Sequence, residues 1–103
     1  MVIMISLKQD WKQWAEALES GEYLQTIGRM GNEKDGFCCV AVRCLIHNVS
    51  FESEDFLPSK DIFENRVPVI CGTNIIAFND KYYYSFKQIA AKIREHAARK
   101  GWT

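Results

Sequence analysis

No run of apolar residues in this chain approaches the roughly 18 needed to cross a membrane. Neither sign of charge is in excess, because thirteen Lys and Arg balance thirteen Asp and Glu. That balance leaves no global footprint for nucleic acid and none of the acidity of a DNA mimic. There is no C-x2-C pair, no glycine-rich phosphate cradle, no internal repeat, no low-complexity segment and no linker. The opening Met1-Val2-Ile3-Met4-Ile5 is apolar but has no basic flank and no small-residue cleavage site, so it is not read as a signal peptide.

What is present is the composition of an ordinary globular protein. The 103 residues are 48% apolar and 25% charged, enough for one small domain with one core. The four cysteines are even in number, but two are adjacent and nothing points to secretion. They read as reduced, mostly buried thiols in a cytosolic setting.

Leu7, Trp11, Trp14 and Leu18 recur at helical spacing, with Ala15 beside them. Ser6 and Gln9 stand at capping-box spacing and Gly21 follows, so a helix is expected over about 7–20. Tyr23 to Ile27 reads as a short strand or an irregular segment, and Gly28 to Gly36 as loop chemistry. The apolar stretch from Phe37 to Asn48 has strand propensity, yet Val40, Cys44 and His47 also share a helical face. Periodicity alone does not choose between the two.

Residues 49–60 read as a loop, and Ser59 or Asp61 can cap a short helix over Ile62–Asn65. Glu52 to Glu64 carries a net charge of −4, read as solvated surface. Val67 to Cys71 is a short apolar run, and Thr73 can cap a short helix over 74–79. Asn79-Asp80-Lys81 is turn chemistry. Ser85 and Gln88 form a second capping box. Phe86, Ile89, Ala90, Ile93 and Ala97 then define a helix over about 86–100, closed by Gly101. The outer face of that helix, with Lys87, Lys92, Arg94, Arg99 and Lys100 against Glu95, has a net charge of +4.

Several chemistries can be weighed on these residues. Cys44 and His47 are three apart on a helical face and form the best-placed candidate metal pair. On a strand, by contrast, Cys38 and Cys44 would lie roughly 20 Å apart. Cys39 or Cys44 with His47 or His96 would be the candidate thiol nucleophile and base. Cysteines in so apolar a run are more often inert core, and the scattered carboxylates suggest no acid–base pair. No catalytic residue and no cofactor is therefore assigned. Tyr82, Tyr83 and Tyr84 beside a basic helix could stack bases along a phosphate track. They serve a protein partner better, because the domain is neutral overall and mixes acidic, basic and aromatic surface.

Four ordered blocks carry a family resemblance. They are Trp14-x2-Ala17-Leu18-x-Ser20-Gly21-x-Tyr23-x-Gln25, then Cys38-Cys39-Val40-Ala41-Val42-Arg43-Cys44-Leu45, then Leu57-Pro58. The last is Phe78-Asn79-Asp80 with Ser85-Phe86-Lys87-Gln88-Ile89-Ala90-Ala91-Lys92-Ile93. Over about residues 11–95 this pattern resembles a group of small uncharacterised tailed-phage and prophage proteins. The group's second block runs Cys-Cys-Leu-Gly-Val-Leu-Cys-Asp-Leu. Here Ala41 stands for its glycine, Arg43 for its second leucine and Leu45 for its acid, so a site depending on that acid would be missing. The resemblance tips residues 37–48 towards helix and implies a viral origin without implying a reaction.

The expectation is thus a helix-rich α+β single domain, with an all-α fold as the alternative. Three main helices lie near 7–20, 37–48 and 86–100, with short strands or irregular segments around 1–5, 23–27 and 67–71. Trp14, Leu18, Cys38, Val42, Leu45, Ile46, Phe86, Ile89 and Ile93 are the expected core. The expected function is non-enzymatic: a phage accessory protein in the cytoplasm of the infected bacterium, binding a host protein such as a defence component. Tyr82, Tyr83, Tyr84, Lys87, Lys92, Arg94 and Arg99 are the expected contact residues. Membrane association is not expected, nucleic acid is the weaker partner, and a homo-oligomer stays open.

Overall fold

The computed structural model describes residues 7–48, 69–70 and 72–102. The expected N-terminal strand, the Ser6 cap, the acidic loop, the 62–65 helix, Leu57-Pro58 and Cys71 lie outside the described residues. The chain runs α1 (Leu7–Glu19), β1 (Gly31–Asn32), β2 (Gly36–Phe37), α2 (Cys39–Ile46), β3 (Val69–Ile70), β4 (Thr73–Asn74), α3 (Ile75–Asp80) and α4 (Phe86–Arg99). The architecture is helix-rich α+β. Its strands form two separate antiparallel hairpins, β1 with β2 and β3 with β4.

The three main helices form because their apolar residues repeat with the helical period, and they pack because those stripes must leave water. α1 lies against both α4 and α2. Trp14, Ala15 and Leu18 from α1 meet Ile89, Ala90 and Ile93 from α4 in one buried cluster. Cys39, Val40, Ala41, Val42 and Cys44 join them, so α2 is apolar on nearly every side and is enclosed on nearly every side. Trp14 is fully buried and its indole Nε1 donates to the Cys39 carbonyl at 2.8 Å. An indole N–H taken out of water needs such an acceptor. Seven of the nine expected core residues are buried, whereas Leu45 and Ile46 are half-buried because α2 ends beside them.

Helix ends follow local chemistry. The capping box at α4 is present in full: Gln88 N donates to Ser85 Oγ at 3.2 Å, and Ser85 N donates to Gln88 Oε1 at 2.8 Å. At α3 the cap is Asn74, whose Oδ1 accepts from Ile76 N, and not the expected Thr73. Thr73 is taken up by β4, where it pairs with Ile70.

Of the two forms expected for residues 23–27, the irregular segment is the one found; Gln25 makes a single parallel bridge to Phe37, flanked by Thr26 N to Phe37 O and Phe37 N to Leu24 O. The loop expected before residue 37 contains the β1–β2 hairpin instead, and α2 starts at Cys39 rather than Phe37. The cause is the pair Gly31 and Gly36, both at positive φ near +100°. A Cβ on Gly31 would lie 1.9 Å from the Gly36 carbonyl oxygen. Only glycines permit two backbones to approach so closely.

Candidate functional site

The tyrosine turn is built by the end of α3. Tyr82 N donates to Ala77 O at 2.9 Å and Tyr84 N donates to Phe78 O at 2.8 Å. Between them Tyr83 is held at φ +56°, the left-handed region that a bulky residue rarely occupies. Tyr82 and Tyr84 stay in ring contact, with centroids 6.3 Å apart. Tyr83 and Tyr82 are 69% and 50% exposed. Tyr84 is half-buried and stacks on Phe78 with ring centroids 5.2 Å apart. Lys81 Nζ stands 5.6 Å from the Tyr82 ring centroid, a cation–π contact.

A polar clamp fixes this turn to the segment after α1. Gln25 Nε2 donates to Asn79 Oδ1 at 2.9 Å and to Tyr84 O at 2.7 Å. Asn79, fully buried, donates through Nδ2 to Thr26 O at 2.8 Å and to Asp80 Oδ1 at 2.7 Å. Asp80 Oδ1 also accepts from Gly28 N at 2.9 Å. Asn79 and Asp80, expected as a turn, instead end α3 and bind a segment more than fifty residues earlier. Leu24 and Ile27, on that earlier segment, are 66% and 44% exposed. With Tyr82 and Tyr83 they are the large apolar side chains exposed among the described residues.

The basic face of α4 is less bare than its sequence suggests. Arg94 forks onto Glu19 of α1, with Nε and Nη2 at 2.9 and 2.6 Å from its two carboxylate oxygens. The hydrogen bonds from Arg94 hold the Glu19 carboxyl below its ordinary value and raise Arg94 in return. Arg99 Nη2 lies 2.6 Å from Glu95 Oε1, and Lys92 Nζ lies 3.9 Å from Glu95 Oε2. Lys87 is exposed. The tyrosines and these cations thus form no single array of open side chains.

The cysteine-rich stretch becomes the wall of the core. Cys38, Cys39 and Cys44 are buried thiols outside any disulfide. Desolvation raises the pKa of all three, Cys39 well above the ordinary thiol value and Cys44 to about 12. Thiols so placed are poor nucleophiles. His47, the partner considered for Cys44, directs Nε2 to Asp10 Oδ1 at 2.8 Å. His96 stacks on Trp11 with centroids 5.0 Å apart, and burial together with Lys100 and Arg99 lowers its pKa. Among the described residues, no three His, Cys, Asp or Glu side chains converge so as to hold a metal ion.

Sequence reasoning missed the node around Asp10. Its carboxylate receives Arg43 through Nε, at 3.3 and 3.2 Å from Oδ1 and Oδ2, and through Nη2 on Oδ2, with His47 on Oδ1. The side chains of Asp10, Arg43 and His47 are 7, 2 and 7% exposed. The Arg43 guanidinium carbon also sits 4.8 Å from the Trp14 ring centroid. The available signal was a lone arginine in an apolar helix, which needs an acid from another element. The node joins α1 to the C-terminal half of α2.

No curated protein and no solved structure matches this chain. The pattern of the domain of unknown function DUF8296 matches over residues 7–65. That match covers more than half of the chain, from the start of α1 past the cysteine-rich helix, and the chain belongs to the DUF8296 family.

Proposed function

We propose that this chain is a phage-encoded accessory protein that acts in the cytoplasm of the infected bacterium by binding a host protein. A component of a defence system is the first candidate. The viral setting rests on the four-block resemblance. The observation that carries the binding mode is the grouping of exposed apolar side chains. Leu24, Ile27, Tyr82 and Tyr83 belong to the two segments that Gln25, Asn79 and Asp80 hold together. Exposed aromatics on a rigid support are typical anchors of protein interfaces. Of the expected contact residues, Tyr82, Tyr83, Lys87, Arg94 and Arg99 are exposed, with Arg94 and Arg99 each paired to a carboxylate, whereas Tyr84 and Lys92 are half-buried. A metal or thiol centre at Cys44 and His47 has less support, since the thiol is buried and His47 faces Asp10. Nucleic acid has less as well, because Arg94, Arg99 and Lys92 face carboxylates.

The test is co-purification from infected or expressing cells. Tagged chain is expected to retain one specific bacterial protein, and Leu24→Glu or Tyr82→Glu to lose it while keeping the fold. Repeated recovery of no specific protein, or equal recovery with both variants, would remove the proposal.

A further inference from the structure

A concave feature lies where α1 meets the end of α4. It is a cleft of about 370 Å³ lined by Lys8, Trp11, Lys12, Arg94, Ala97 and Trp102. Among the described residues, its apolar lining is Trp11, Trp102 and Ala97 and its polar lining is Lys8, Lys12 and Arg94. We propose that this cleft binds a small ligand with one planar ring and one phosphate monoester, of the mononucleotide class.

Three observations support it. The aromatic wall is fixed in advance. Trp11 is held edge-on by Trp14 at 5.8 Å and stacked by His96 at 5.0 Å. Trp102 meets both Trp11 and His96 edge-on, at 5.3 and 5.9 Å. Its backbone N is anchored to Ala97 O at 2.8 Å, past the left-handed Gly101. Trp102 is half-buried, so part of its ring remains accessible to a base.

The charges point one way. Lys8 and Lys12 stand four apart on α1, a spacing at which like charges on a helix repel. Neither has an ion-pair partner among the described residues. Arg94 adds a third cation from α4. Glu19 holds its Nε and Nη2, which leaves the Nη1 edge for another acceptor, and Glu16 acts on it as well. Among the described residues, the two lysine charges at the rim thus have no carboxylate in ion-pair contact. A phosphate monoester carries about −1.5 to −2 at neutral pH, which matches them better than a single carboxylate does.

The size is consistent too. Ligand pockets usually start at about 300 Å³, so this cleft suits one nucleotide rather than an extended chain.

The experiment uses the full chain and adenosine 5′-monophosphate, read by tryptophan fluorescence and by two-dimensional NMR shifts. Saturable binding is expected, with shifts centred on Lys8, Lys12 and Trp102. Adenosine, which lacks the phosphate, and ribose 5-phosphate, which lacks the ring, should each bind at least about tenfold more weakly. Lys12→Gln, an exposed change outside the core, should weaken AMP by about the same factor while leaving the thermal midpoint in place. Absence of saturation up to about 1 mM AMP would overturn the proposal. So would adenosine binding as well as AMP, or an unchanged affinity in Lys12→Gln. Much tighter binding of a twelve-residue oligothymidylate would overturn it in favour of a single-strand site.

Discussion

At the residue scale, Arg43 decides most. Within an apolar helix it is the largest charged group that the core encloses. It can be there because Asp10 and the Trp14 ring meet it. Such pairs contribute little net stability when intact but are costly to break. Asp10→Asn should therefore cost about 3–5 kcal/mol in urea unfolding, because Arg43 stays charged and enclosed. Combining Asp10→Asn with Arg43→Met should cost less than Asp10→Asn alone; additive losses would show that the two side chains act independently. The thiols make a second case. In a Cys71→Ser background, native chain at pH 8 should react with a thiol reagent only at its unfolding rate. Burial keeps Cys38, Cys39 and Cys44 protonated and out of reach. Rapid labelling of any of the three in folded protein would contradict this.

At the element scale, strongly periodic helices were legible and close glycine contacts were not. α1 and α4 were readable because Trp14, Leu18, Ile89 and Ile93 repeat with the helical period and Ser85 with Gln88 marks a start. The β1–β2 hairpin was invisible because Gly31 and Gly36 read as turn formers, while their role is to let two backbones touch. Gly31→Ala should accordingly cost about 3 kcal/mol, since it combines positive φ with a backbone collision. Gly28→Ala shares the positive φ, but nothing lies within 4 Å of its new methyl group. It should cost only about 1 kcal/mol. Equal costs in thermal or urea unfolding would mean that the conformation alone, and not the close approach, governs both positions.

At the scale of the whole molecule, the core joins sequence blocks that look unrelated on paper. Trp14 of the first block caps its indole on Cys39 of the second, and Gln25 grips Asn79 of the last. Local pattern could not show this, because each contact spans 25 residues or more. It also hid the cross-helix pair: the basic face of α4 was legible with Glu95 on it, but not Glu19 of α1, which meets Arg94. Electrostatics should make the fold acid-sensitive in two stages. His96 has a folded pKa below the ordinary 6.5, so the unfolded chain takes up that proton first. Its contribution is complete above that value and is lost as pH falls towards the lower folded value. Glu19, held below 4.5 by Arg94, contributes above that value and loses its contribution as pH falls further. The urea midpoint should thus decline from pH 7.5 to pH 5.5, and His96→Phe should flatten that part of the curve. An unchanged slope in the variant would assign it to another group.

On the binding proposal, the left-handed Tyr83 and its exposed ring serve partner capture and not folding. Tyr83→Gly tests it most directly, because glycine relieves the left-handed backbone while deleting the exposed ring. Stability and capture of the bacterial partner should be measured on the same preparation. An unfolding midpoint no lower than that of the parent chain is expected, together with loss of the captured protein. A lowered midpoint with full capture would contradict it.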